Sequence, residues 1–186
     1  LGQVFVISGR IMAVALQAAE GVLVARYLQY MLDFMHKRGI SAAQLLDGSG
    51  LQVEELRAHP DYFVSLPAFL RTLQNMHSLD TSPTLSFELG ATFNIGSHGF
   101  LGYAVQASPN LAEALLLVNR YALTRTQLLQ VSFVPDGHTV MLEVTDQGLL
   151  GPWFPHLIDA LLGSFQAIAS ELFPDFSHDG VSTQFS

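Results

Sequence analysis

The chain has 186 residues, 49% of them hydrophobic and 13% charged, with a net charge of −8 and no cysteine. That length suits one domain with a sizeable core, the apolar content excludes a disordered chain, and the missing cysteine excludes a disulfide scaffold, a thiolate metal site and a cysteine nucleophile. All eight Lys and Arg lie within residues 1–125 beside nine acids, while residues 126–186 hold seven acids and no basic residue, so the polypeptide by itself is not expected to neutralise nucleic-acid phosphates.

Gly2–Ile7 reads as a short strand, and residues 1–21 stand apart as an N-terminal extension. From Val22 the pattern is helical: Val24, Leu28, Met31 and Met35 recur at three- and four-residue steps, with Ala25 and Leu32 widening the stripe. Lys37 and Arg38 followed by Gly39 form a fitting stop, because cations complement the negative helix end and glycine tolerates the left-handed cap. Ser41 caps a short Ala42–Leu46 helix, Asp47-Gly48-Ser49-Gly50 is a turn, and Val53–Ala58 is a further helical turn. Tyr62–Ser65 is extended. Pro67 then suits a first helical turn, with Phe69, Leu70, Leu73 and Met76 on one face.

Thr81-Ser82-Pro83 restarts a helix running to about Phe93, with Leu85 and Leu89 inward. Asn94–Gly99 is a loop, Phe100–Ala107 is helical, and Pro109-Asn110 punctuates again. Leu111, Ala114, Leu115, Val118 and Tyr121 form the core stripe of the next helix; Leu116 and Leu117 fall off it and suggest cover on a second side. The period then switches to two. Leu129, Val131 and Phe133 alternate with Gln130 and Ser132, and Val140, Leu142 and Val144 with Met141 and Glu143, on either side of the turn signal Pro135-Asp136-Gly137. Gly151-Pro152 opens a long helix to about Phe173, ended by Pro174, and Val181–Ser186 alternates like a strand.

The longest uncharged stretch, Leu89–Ala112, contains several polar residues and four glycines, which excludes a bilayer-spanning helix of ~20 mainly apolar residues. Ile11–Ala19 has only Arg10 before it, too little for a signal peptide. A soluble, cytoplasmic chain is expected, and the lack of cysteine agrees with a reducing compartment.

Seven histidines, at positions 36, 59, 77, 98, 138, 156 and 178, show no i, i+2 or i, i+4 pair that would place two ligands on one element, so no metal or cofactor is expected. Ser97 and His98, in Gly96-Ser97-His98-Gly99, are a nucleophile and a base side by side, but the glycine-x-serine-x-glycine elbow is missing and neighbouring side chains seldom converge. A structural turn is the simpler reading. The pairs Glu54 and Glu55, and Asp175 and Asp179, lie in turn-like surroundings that fix no separation for acid–base work. Phe100, Tyr103, Tyr121 and Trp153 read mainly as core aromatics. Asn119, Arg120, Thr124 and Arg125 follow a very apolar helix; they fit the polar rim of an apolar cavity, and equally a solvated helix end with cations on the dipole.

The segment Leu101-Gly102-Tyr103-Ala104, then Ser108-Pro109-Asn110-Leu111 leading into Glu113-Ala114-Leu115 and ending in Arg120-Tyr121, resembles the N-terminal sensing domain of AraC-family transcriptional regulators of the "arabinose-binding" subgroup. Asn110 stands where that family typically has threonine. Arg38-Gly39-Ile40, Leu45-Leu46, Gly50-Leu51, Ser65-Leu66-Pro67 and Leu85–Gly90 fall in the same register, and the likeness covers Val22 to Ser186. No single motif in it is catalytic.

The resemblance implies a non-enzymatic, effector-sensing and dimer-forming domain. It would control a separate C-terminal domain with two helix-turn-helix motifs, through which alone DNA would be bound. It also implies that this chain is a fragment, lacking that domain and the end of its own. Residues 22–186 are thus expected to be an α+β ligand-sensing and dimerisation domain: mostly helical in its first two-thirds, then a β-hairpin and a long helix. Tyr103, Arg120 and Tyr121 are the candidate ligand-binding residues, for a small molecule of unknown identity, and Leu116 and Leu117 the candidate homodimer contacts. A ligand-free dimerisation module and a small hydrolase built on Ser97 and His98 stay open as alternatives.

Overall fold

The computed structural model describes residues 3–7, 21–136, 139–146, 148–172 and 181–185. The chain folds as α+β in the order β1 (Gln3–Ile7), β2 (Gly21–Val24), α1 (Ala25–Lys37), α2 (Ala42–Leu45), α3 (Val53–Ala58), β3 (Phe63–Ser65), α4 (Leu66–Leu79), α5 (Leu85–Gly90), α6 (Phe100–Gln106), α7 (Leu111–Tyr121), β4 (Leu129–Asp136), β5 (Thr139–Asp146), α8 (Phe154–Leu172) and β6 (Val181–Phe185), with 3-10 turns at Ile95–His98, Ala122–Thr124 and Gly151–Trp153. Phe173 and Pro174, expected to end the long helix, lie outside the described residues.

The helix expected from Val22 begins only at Ala25. Val22 and Val24 belong instead to β2, which pairs antiparallel with β3 and bridges to Thr126 through Leu23. Both valines are buried, so the period is two up to Val24 and becomes helical only beyond it. From there α1 buries Leu28, Met31, Leu32, Phe34 and Met35. Ser41 and Gln44 form a reciprocal capping box at the start of α2, and Asn75 Nδ2 donates to the carbonyls of Leu45 and Asp47 at 2.9 and 2.8 Å, satisfying the other end of that turn. Arg38 bonds Asp80 Oδ2 at 2.6 Å and Glu88 Oε2 at 2.8 Å, tying the end of α1 to those of α4 and α5. The helix expected to reach Phe93 stops at Gly90.

Strands β4, β5, β1 and β6 form a mixed sheet in that order. The β4–β5 hairpin runs in register from Leu129↔Asp146 to Asp136↔Thr139, so Pro135 and Asp136 are ladder positions and the link itself, residues 137–138, lies outside the described residues. Proline is tolerable there because β4 is an edge strand. Residues 1–21, set apart from the sequence as an extension, supply an inner strand: β1 lies parallel to both β5 and β6. Leu129, Val131, Leu142 and Val144 are buried, and the ring of Phe133 meets Phe165 of α8 edge-on at 5.5 Å.

Helices α5 and α8 touch backbone to backbone. A Cβ on Gly90 would overlap the carbonyl oxygen of Ala160, and one on Gly163 would overlap that of Phe87. Gly163→Ala is therefore expected to destabilise the chain by about 2 kcal/mol, overpacking outweighing the ~1 kcal/mol gained in helix propensity. Urea unfolding measures this, with Gln166→Ala on the exposed side of the same helix as control; a neutral Gly163→Ala would mean that the crossing has slack.

Candidate functional site

The 3-10 turn Ile95–His98 is fixed from several sides. Asn94 and Ser97 cap it reciprocally, with Ser97 N donating to Asn94 Oδ1 and Asn94 N donating to Ser97 Oγ, both at 3.1 Å. Glu171 Oε2 of α8 accepts from Ile95 N at 3.3 Å. Gly102 of α6 lies so close that a Cβ there would overlap the Ile95 carbonyl. The turn aims the His98 ring inward. Its Nδ1 lies 2.9 Å from Tyr27 Oη of α1 and its Nε2 3.1 Å from Ser164 Oγ of α8. Ser164 is buried and directly follows Gly163 at the helix crossing, so the close approach of α5 and α8 is what brings its hydroxyl within reach.

A second polar chain adjoins the first. Arg125, 9% exposed, follows the turn Ala122–Thr124 and is held by its backbone against β2, its carbonyl accepting from Val24 N at 3.1 Å. Its guanidinium carbon lies 5.9 Å from the centre of the Tyr27 ring. Nη1 donates to Asp61 Oδ1 at 3.2 Å, and Arg26 Nη2 reaches the same oxygen at 3.4 Å. Gly99, at φ +60°, passes beside this guanidinium; a Cβ there would lie 3.4 Å from Nη1 and in a conformation that side-chain-bearing residues rarely adopt.

Burial pushes the His98 imidazole down to about 4, with the charge of Arg125 adding to the effect. His98 is therefore neutral around pH 7, donating from one ring nitrogen and accepting at the other between two hydroxyls. Burial raises the Tyr27 phenol against the opposing pull of Arg125, and the bond from Arg125 holds the Asp61 carboxyl below its ordinary range. The result is a neutral relay, Tyr27–His98–Ser164, beside a charged one, Arg26–Asp61–Arg125.

Ser97 and His98 thus form no nucleophile–base pair: the serine hydroxyl is engaged with Asn94 and both imidazole nitrogens face other elements. Among the described residues no group of three or more His, Asp or Glu converges as a metal site. His77 and His156 do stack, ring centres 4.0 Å apart, beside Trp153.

Tyr103 lies on α6 at 59% exposure, and Arg120 and Tyr121 are exposed on α7; Tyr121 does not join the core stripe expected of it. Two open surface depressions, one along residues 42–54 and one between α2 and the end of α4, include none of the three. Leu116 is 64% exposed and Leu117 half-buried. Of the four polar residues noted after the apolar helix, Asn119 docks α7 on β4 by bonding both Phe133 N (2.7 Å) and Phe133 O (2.9 Å), Thr124 closes its own turn, and Arg125 alone turns inward. Sequence reasoning missed Tyr27, Asp61 and Ser164. The one signal for the last was the small pair Gly163-Ser164 inside the otherwise apolar run Ala160–Phe165.

Residues 39–183 match the family described as the arabinose-binding domain of AraC transcription regulators, N-terminal. The chain is also similar to the ornithine utilization regulator of Pseudomonas aeruginosa, 28% identical over 151 residues. That alignment takes in 81% of this chain but 44% of the relative, so the chain spans less than half the length of that curated protein.

Between about pH 6.5 and pH 4 an unfolded imidazole at position 98 is protonated while the folded one is not, so unfolding takes up a proton and stability falls as pH drops. The loss should total about 3 kcal/mol and level off below the folded value. His77, held low by burial and by His156, acts with the same sign. Urea midpoints measured from about pH 7 to about pH 4.5 should therefore fall less steeply in His98→Gln than in the parent; equal slopes would assign the titration elsewhere.

Proposed function

The chain belongs to the family of N-terminal arabinose-binding domains of AraC transcription regulators, and on that premise we propose that it is the effector-sensing part of such a regulator, with the two interior relays around His98 and Arg125 as its ligand-responsive centre. The observation that carries this reading is the convergence on one polar cluster of groups far apart in sequence: Tyr27 of α1, His98 before α6, Arg125 after α7 and Ser164 of α8. A small molecule that bonds better to one arrangement of these groups than to another shifts the population between arrangements by that difference in affinity. We assign the primary contacts to this cluster, and to the exposed Tyr103, Arg120 and Tyr121 at most an outer role.

DNA contact falls, in this reading, to a separate helix-turn-helix domain, in keeping with a single lysine, Lys37, and an acidic final third in the present chain. Effector binding acts on that domain directly or through a dimer. For the dimer the supporting feature is the apolar exposure between α6 and the turn after α7, where Phe100 is 88%, Leu116 64% and Leu123 56% exposed. A second copy of this chain is the partner we assign to that face.

Native mass spectrometry and thermal shift with a panel of metabolites test the sensing role, and the name of the related regulator makes ornithine the first compound to assay. A bound metabolite should raise the melting temperature of the parent chain and do so less for Tyr27→Phe, which loses a hydroxyl of the relay. Binding that is indifferent to Tyr27→Phe, Ser164→Ala and His98→Gln alike would move the site elsewhere. For the dimer, Leu116→Glu should shift sedimentation from dimer toward monomer with an unchanged circular dichroism spectrum. A parent chain that sediments as a monomer at high concentration removes that part.

A further inference from the structure

Arg26 and Arg125 share one carboxylate oxygen, Asp61 Oδ1. Two guanidinium charges against one carboxylate leave an excess of one positive charge, and the neighbouring His98 and Tyr27 supply no anion to offset it at neutral pH. The donors show the same imbalance. Among the described residues, Nε and Nη2 of Arg125 and Nε of Arg26 are sealed from solvent without an acceptor. Interior N–H groups are nearly always paired, and those of a buried charge are the most costly to leave unmade.

The geometry of the deficit is specific. Asp61 takes the Nη1 corner of Arg125, so the unpaired donors are those of Nε and Nη2, which lie along one edge of the planar group. Two parallel N–H bonds from such an edge match the two oxygens of a carboxylate. The guanidinium face is occupied by the Tyr27 ring, itself packed on Phe93 at 5.4 Å. Gly99 keeps bulk away from the Nη1 side. Asp61, at the Nη1 corner, is 59% exposed at its side chain, so the relay reaches the surface on that side.

We propose that the Nε–Nη2 edge of Arg125 is the recognition point for a carboxylate on the effector. The single negative charge cancels the excess in the Arg26–Asp61–Arg125 relay, and the two oxygens take up its unpaired donors. This rests on the sensing role proposed above and specifies the charged end of the ligand.

The test uses the whole chain labelled isotopically at arginine, titrated with hexanoate against hexanamide and benzoate against benzamide, with inorganic phosphate and sulfate as further arms. The acids should shift the Arg125 side-chain Nε–H resonance and raise the melting temperature, and the amides should do neither. Arg125→Lys keeps the charge but not the fork and should weaken acid binding about tenfold or more, whereas Arg57→Lys, on the surface beside Asp33, should leave it unchanged. Amides that bind as well as acids, phosphate or sulfate preferred over both, an unmoved Arg125 resonance, or no binding at millimolar acid would each overturn the carboxylate assignment. A neutral metabolite found by the mass-spectrometric panel would do so while leaving the sensing role intact.

Discussion

The contact on which the rest depends is the crossing of α5 and α8 at Gly90 and Gly163. With no Cβ on either side, the two backbones meet at a distance that larger residues forbid, and the next residue along α8, Ser164, is carried to within 3.1 Å of the His98 ring. The same crossing brings Glu171, two turns further along α8, to the amide of Ile95. Ridges-into-grooves packing at ordinary helix separations of 8–10 Å would leave both polar contacts open. Two glycines thus decide whether the interior polar cluster is closed or broken.

What that crossing encloses is costly to enclose. A neutral histidine between two hydroxyls satisfies its own hydrogen bonds and is inexpensive; the buried guanidinium of Arg125, whose partner Asp61 is 59% exposed, is not, because desolvating charge is repaid only by complete pairing. The chain holds both side by side, and the arginine relay is the one left incomplete. A purely structural network gains nothing from an unpaired guanidinium edge, since well-packed apolar groups of the same volume serve stability as well or better. The imbalance is therefore more at home in a domain whose interior waits on a ligand than in a scaffold.

Much of the fold was legible in the sequence wherever the signal was local. The Ser41 cap, the Gly39 stop, Pro67 in a first turn and the alternation of the β4–β5 hairpin each rest on residues within a few positions of one another. What failed was set from a distance. Val22 and Val24 fit a helical stripe and a strand equally well, and the choice is made by Phe63–Ser65 and Thr126, which supply β2 with hydrogen-bonding neighbours. Tyr121 continues the apolar stripe of α7, yet it is left 42% exposed at its end of the helix. The site was least legible of all: Arg125 stood out as one of four polar residues, but its inward course depends on Gly99 and Tyr27, and the His98–Ser164 bond joins residues 66 positions apart.

The placement of the cluster also bears on how an interior event reaches the surface. Arg125 is no free side chain: its backbone carbonyl is bonded to Val24 of β2, and Gln127 N donates to Val22 O at 2.7 Å, so the segment that carries the guanidinium is stitched along that strand. Four residues on, the same segment becomes β4, and β4 is pinned to α7 by the two bonds of Asn119. On the other side His98 is followed directly by Gly99 and then by α6, which packs on α7. The groups that meet in the interior are thus the anchored ends of the two helices whose outer faces carry Phe100 and Leu116. Any change in how Arg125 and His98 are paired has to be taken up by Gly99, the most permissive backbone position between them, and so by the angle of α6 against α7. With Arg125 and Asn119 held by hydrogen bonds to β2 and β4, that angle is the output that the proposed sensing role would use.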